Sequence, residues 1–227
     1  MGPHINLASN IFRSLASNPR PWVLTRTLAS ENPSDLHCEI RGTATFRAKE
    51  TTGADGISET VYAEEGEMPS AAGNMAGLRW SRKYIWRLAP LSELSFASKT
   101  EEGEAEGQDE ALSVWFAKPT KTSPGVENTV EADYVFHDLE FVDGSSDAAG
   151  SKNVPIPAPA LDAGIETEIV LARGRHLCIN DDYQTWYSFR VRNESSAIEV
   201  LAWASRHVVQ GPKKNQDIVN MYTPGGV

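Results

Sequence analysis

Cysteine is scarce in this 227-residue chain, with Cys38 and Cys178 the only two. Two cysteines make no disulfide framework, and a chain of this length buries enough core to need none. No apolar run approaches the ~18 residues of a membrane helix. Met1 to Asn6 lacks the basic and apolar segments of a secretory signal. These absences predict a cytoplasmic protein with both thiols reduced. Positive charge is in deficit: 21 Lys and Arg face 31 Asp and Glu, a formal charge of −10. That balance speaks against nucleic acid as a partner. Glycine-rich strand-to-helix turns are missing, so NAD, FAD and ATP have no expected seat. A Gly-x-Ser-x-Gly elbow is missing too, which disfavours a serine hydrolase. His176 and Cys178 share one strand face, but nothing has the close ligand spacing of two CxxC pairs. No cofactor and no metal are expected.

What is present is alternation. Trp22–Leu28, His37–Lys49, Glu59–Glu67, Arg79–Arg87, Leu112–Phe116, Tyr134–Phe141, Thr167–Ile179 (interrupted by Gly174), Asp181–Arg192, Ala197–Gln210 and Gln216–Tyr222 read as strands. Leu91–Ser98 reads as a short strand or turn. Ile5–Leu15 has helical spacing and is stopped by Asn18-Pro19-Arg20-Pro21, predicting a short N-terminal helix able to plug one end of a barrel. Residues 99–111 form an acidic loop of six carboxylates and one lysine, and residues 143–162 a Ser/Ala/Pro-rich excursion. No βαβ rhythm appears. The prediction is one all-β domain over residues 1–227, an antiparallel up-and-down barrel of about eight to ten strands with a short N-terminal helix. A barrel of that size leaves room for a small ligand.

The centre of the chain is Arg79–Arg87. Period-two spacing sets Trp80, Arg82, Tyr84 and Trp86 on one face. An arginine on an aromatic face has a buried partner, points into a wet cavity or lies at the rim. An ordinary half-buried strand is the alternative. Trp203 on its strand, and Phe136 or His137 on theirs, can join this aromatic wall. Each ring alone is better explained by core packing; together with Arg82 they favour a ligand cavity. His176, Asp181 and Tyr183 flank a hairpin at Asn180-Asp181, where a histidine beside a carboxylate is suited to acid–base work. Asp181 equally suits a simple turn. Cys178 faces the way of His176, and Lys213, in Gly211-Pro212-Lys213-Lys214, stands where it can hold an anionic group at the mouth. The candidate catalytic set is therefore Arg82, Tyr84, His176, Asp181 and Tyr183. The candidate substrate-binding set is Trp80, Trp86, Phe136, His137, Cys178, Trp203 and Lys213.

Several blocks together resemble a lipocalin-like (calycin) barrel family of unknown function found in bacteria and fungi. They are Trp22-Val23-Leu24-Thr25-Arg26, Gly42-Thr43-Ala44-Thr45-Phe46, Tyr62-Ala63-Glu64-Glu65-Gly66, Arg82-Lys83-Tyr84-Ile85-Trp86-Arg87, His176-Leu177-Cys178 with Asp181 and Tyr183, and Trp203 with Val208 to Lys214. The likeness spans nearly the whole chain. The two insertions, 99–111 and 143–162, look like those of fungal members. The resemblance implies a barrel and brings no established reaction; by analogy alone, small cofactor-free barrels of this sort look like tailoring proteins of fungal natural-product pathways. The expected partner is a hydrophobic small molecule, without nucleic acid or membrane, and a homodimer is left open. The expected activity is a cofactor-independent isomerase or cyclase, with a Diels–Alder-type cyclisation as the concrete version. A non-catalytic carrier of an apolar metabolite is the alternative.

Overall fold

The alternating segments become eleven antiparallel strands in a computed structural model, which describes residues 6–49, 56–91, 110–118, 130–142, 155–161, 164–194, 197–212 and 214–226. They are β1 (Trp22–Ser30), β2 (Cys38–Ala48), β3 (Ser58–Glu67), β4 (Arg79–Pro90), β5 (Glu110–Ala117), β6 (Ala132–Asp138), β7 (Glu140–Val142), β8 (Glu168–Cys178), β9 (Asp181–Glu194), β10 (Ala197–Gln210) and β11 (Asn215–Pro224). Consecutive strands pair, and the first returns to the last: β1 runs beside β11 from Trp22 opposite Pro224 to Ser30 opposite Gln216. The ladder breaks only between β6 and β7, which follow each other directly through Leu139. Together they act as one bent strand, bonded to β5 in its first part and to β8 in its second. That division explains why eleven strands appear where about ten were expected. The result is a nearly closed up-and-down barrel.

Side chains fill the seam. Beyond Arg173, β8 runs past β6 without a ladder, and the imidazole of His137 lies flat against Gly174. A Cβ on Gly174 would meet His137 Cδ2 at 2.3 Å and the Asp138 carbonyl at 3.0 Å. His137 cannot swing aside freely, because its Nε2 lies 2.9 Å from the Tyr187 hydroxyl in a buried contact. Gly174→Ala is therefore expected to lower stability by about 1–3 kcal/mol through overpacking. An unchanged urea midpoint would mean that the seam is looser than this geometry.

Helix α1 (Leu7–Ser17) begins two residues later than the pattern suggested. Its N-cap is Asn6, whose side-chain oxygen accepts from Ser9 N at 3.0 Å. Ala8, Ile11, Phe12 and Leu15 form its buried stripe, and the stripe packs into the same core as Trp22, Phe46, Leu88, Leu112, Phe189 and Ile198. The helix crosses strands on opposite sides of the barrel and so closes one end. At a bulge between Val200 and Ala202, the Val200 amide donates to Ser14 Oγ at 2.7 Å, tying lid to wall.

Three expectations about connections change. Glu110 and Ala111 belong to β5 and not to the acidic loop, because they pair with Pro90 and Ala89. The β8–β9 turn is Ile179-Asn180, not Asn180-Asp181, since Asp181 already pairs with Cys178; Ile179 takes a left-handed φ of 57° there. Gly174 sits within a continuous strand and does not interrupt it. Residues 92–109 and 143–154 lie outside the described residues. Of the Pro/Ala-rich excursion, residues 155–161 are strapped to the outside of β9 by Arg190, which donates to the carbonyls of Pro159 at 2.8 Å and Ala158 at 3.1 Å. Among the described residues no helix is long and apolar enough to cross a membrane. Both cysteines are free.

Candidate functional site

Away from the helix, the barrel keeps a cavity of about 390 Å³, at the small end of the usual ligand-pocket range. Ten of its lining side chains are Phe, Tyr or Trp. They come from β3, β4, β5, β6, β9, β10 and β11, because inward positions recur every second residue on each strand. Near the mouth, Phe136 and His176 lie 5.5 Å apart between ring centroids, and His176 stands directly across from Tyr183 at 5.9 Å. Deeper, Trp203 and Tyr222 stack at 3.5 Å and 3°.

One side of this wall is ionic and buried. Arg26 of β1 reaches both carboxylate oxygens of Glu64 on β3 through Nη2, each at 2.8 Å. The pair is almost sealed, with side-chain exposures of 6% and 3%. Arg26 Nε donates to Asn220 Oδ1, and Asn220 Nδ2 donates to Ser205 Oγ at 2.9 Å. Ser205 Oγ lies 3.2 Å from His207 Nε2, whose Nδ1 lies 3.0 Å from Thr185 Oγ1. The hydroxyl of Tyr62 is 2.6 Å from Glu64 Oε1 and 2.7 Å from the Tyr222 hydroxyl. The guanidinium also lies over Trp80, 5.6 Å from its ring centroid. Trp80 in turn rests on two glycines. A Cβ on Gly66 or Gly42 would stand 2.7 or 2.9 Å from its Cζ2. Hydrogen bonds thus join five strands (β1, β3, β9, β10 and β11) in one network, and such networks hold their members in fixed orientations.

Burial sets the protonation states. It pushes His207 down to about 3, with the positive charges of Arg26 and Arg82 adding to the effect. Burial also takes His137 well below the ordinary imidazole value, helped by His207 and His176. His176 is lowered by burial against an opposing hydrogen bond to the Phe136 backbone. Tyr62, Tyr84, Tyr187 and Tyr222 are all raised, chiefly by burial. For Arg26, burial opposes the charge most strongly, but Glu64, Tyr222 and Tyr62 together outweigh it and hold the guanidinium charged. The Arg and Glu side chains lining the cavity are Arg26, Glu64 and Arg82, the first two joined as an ion pair.

Tyr84, Trp86, Phe136, His176, Cys178, Tyr183 and Trp203 line the cavity, and so does Arg82. Arg82 stands at the mouth and is exposed, so of the three placements open to it, the rim is the one it takes. Trp80 faces inward but spends its ring on the glycine pair and Arg26. His137 is seam packing behind the cavity wall. Asp181 does not orient His176. Its carboxylate lies 3.2 Å from Lys214 Nζ, which also donates to the Tyr183 hydroxyl at 2.8 Å, making a hairpin-to-hairpin tie at the rim. Lys213 lies outside the described residues. Among the described residues no three His, Cys, Asp or Glu side chains gather to hold a metal ion. The sequence reading overlooked Arg26, Glu64 and Asn220. The signal existed: Trp22, Leu24 and Arg26 share a face by period two, as do Tyr62, Glu64 and Gly66. An arginine and a glutamate on inward faces of nearby strands ask for each other.

Fold and cavity together define an antiparallel barrel, capped by a helix at one end and suited to enclosing a small ligand. The chain belongs to a family of unknown function, DUF6314, whose model matches residues 20–224. No curated protein and no solved structure matches it.

Proposed function

We propose that this barrel encloses an apolar, ring-bearing small molecule and promotes a cofactor-independent isomerisation or cyclisation of it. The observation that carries the reading is the ring-lined cavity, with the buried Arg26–Glu64–Tyr62–Tyr222 cluster in its wall. Rings supply apolar area and hold a planar substrate in one conformer, which is where an intramolecular rearrangement gains most of its rate. Fixed donors in a water-poor space stabilise charge that develops on a carbonyl or enol oxygen. Tyr84 is such a donor, because burial keeps its proton in place. Cyclisation of a natural-product-like polyene, in the manner of a Diels–Alder reaction, is the concrete form.

The first test is occupancy. N-phenyl-1-naphthylamine is a neutral fluorophore of suitable size, and it is expected to bind saturably in the micromolar range. Val114→Phe, which fills the cavity from β5, is expected to weaken it by about tenfold or more. No saturable binding would end the proposal. The second test is chemistry. Isomerisation leaves mass unchanged and alters retention time, so a compound that displaces the fluorophore is incubated and followed by chromatography with mass detection. Tyr84→Phe is expected to slow conversion by about 10²-fold with little change in binding.

The carrier reading has one observation of its own in favour. The expected acid–base group is dismantled, since Asp181 and Tyr183 serve Lys214 rather than His176. Displacing compounds recovered unaltered, with affinity as the only property that Tyr84→Phe changes, would favour the carrier.

A further inference from the structure

Three ionised groups line the cavity, and only two of them are matched. Glu64 is taken up by Arg26 and by the Tyr62 hydroxyl. Lys214, beside the rim, already has Asp181. Arg82 stands across the β3–β4 ladder from Glu64, yet Glu64 turns to Arg26. Among the described residues no carboxylate lies in ion-pair reach of Arg82. Arg82 donates to the hydroxyl of Tyr84, a phenol that burial keeps neutral. The histidines of the lining do not supply charge either, since burial holds both His176 and His207 below their ordinary values. Among the described residues the cavity therefore presents one unmatched positive charge at its mouth, on the face of β4 that carries Tyr84, whose ring lies opposite Phe116 of β5 at 5.8 Å between centroids.

We infer that the ligand is an organic anion: a ring system carrying a carboxylate or a comparable resonance-stabilised oxyanion, its rings inside the barrel and its charged head on Arg82. This rests on the small-molecule reading above and goes further by naming the ligand class. A planar guanidinium matches a carboxylate in a two-point contact that an ammonium does not reproduce. At the mouth the head group stays partly hydrated, so its desolvation is mild while the rings take the apolar interior. The arrangement sets polarity as well as affinity: the anionic end faces out, and the opposite end of the ligand reaches the Ser205, His207 and Asn220 side of the cavity.

A matched pair of competitors tests it. 2-Naphthoate and 2-naphthamide have nearly the same shape and differ in charge. Each is titrated against bound N-phenyl-1-naphthylamine in the wild-type protein, in Arg82→Gln and in Arg82→Lys. The naphthoate is expected to displace the fluorophore about tenfold better than the amide, and rising ionic strength should erode that advantage. Arg82→Gln should remove the advantage while shifting the fluorophore midpoint less than about twofold; Arg82→Lys should keep part of it. Equal displacement by acid and amide in the wild type overturns the inference, as does an advantage that survives Arg82→Gln. Both results leave the cavity reading standing. Failure of the fluorophore itself to bind defeats the cavity reading and this inference together.

Discussion

Arg26→Met is expected to destabilise the protein by about 3–5 kcal/mol, and Glu64→Met by a similar amount, whereas the double replacement costs less than either alone. Both side chains are sealed from water and lie 2.8 Å apart. Removing one leaves the other as an uncompensated charge in a poor solvent. Removing both leaves an apolar contact, so the double-mutant cycle should show a coupling of several kcal/mol. The two halves are not equivalent in acid. A buried carboxyl stripped of its cation takes up a proton, so the Arg26→Met penalty should shrink as pH falls. A guanidinium cannot give up its charge, so the Glu64→Met penalty should not shrink in the same way. Urea titrations of the four proteins at neutral and mildly acidic pH check both statements. Additive single effects would mean that water reaches the pair and that the polar wall of the cavity is not preorganised. In that case the case for stabilising a developing charge weakens, while binding of an apolar ligand does not.

This pair also marks where the sequence stops being legible. The barrel could be read because strand alternation is local: Trp80, Arg82, Tyr84 and Trp86 face the same way whatever surrounds them. The helical lid could be read for the same reason, from the stripe of Ile11, Phe12 and Leu15. The site needed more than alternation. Arg26 finds Glu64 across 38 positions and Asn220 across 194, and those meetings depend on strand order, stagger and closure. The surroundings of His137 and Asp181 were illegible for a similar reason. Each lies beside aromatic or titratable neighbours in sequence, but their surroundings are set by Gly174 and Lys214, which arrive from other strands or turns. The hairpin at Ile179-Asn180 was displaced by one residue because a β-branched residue with positive φ is the less common choice, and local propensity points to Asn180 instead. Residue types on a face were readable; partners across the barrel were not.

The pH dependence of stability should be steep on the acid side of neutrality and traceable to two histidines. His207 is pushed down to about 3 and His137 lies well below its ordinary value, so both are neutral in the folded protein. Released into water they titrate near 6.5. Between those values the unfolded chain binds protons that the folded one refuses, so stability is full above about pH 6.5 and declines as pH falls. For each histidine kept neutral the loss between about pH 7 and pH 5 reaches up to about 2 kcal/mol. Asp138, which burial raises, acts in the opposite direction, its contribution growing as pH falls through its raised value. Carboxylates such as Glu59 that ion pairs hold low begin to add to the loss only below about pH 4.5. His207→Gln, which retains hydrogen-bonding groups for Ser205 and Thr185, should flatten the slope by about half, and His137→Gln should remove much of the rest. A wild-type protein equally stable at the two pH values would mean that water solvates these imidazoles. The same neutrality bears on recognition. An imidazolium at His207 would put a second unmatched cation in the cavity and draw an anionic head group inward. With His207 uncharged, Arg82 is the unmatched charge among the described residues, and the ligand's orientation should hold from neutral pH down to the point where the carboxylate itself takes a proton.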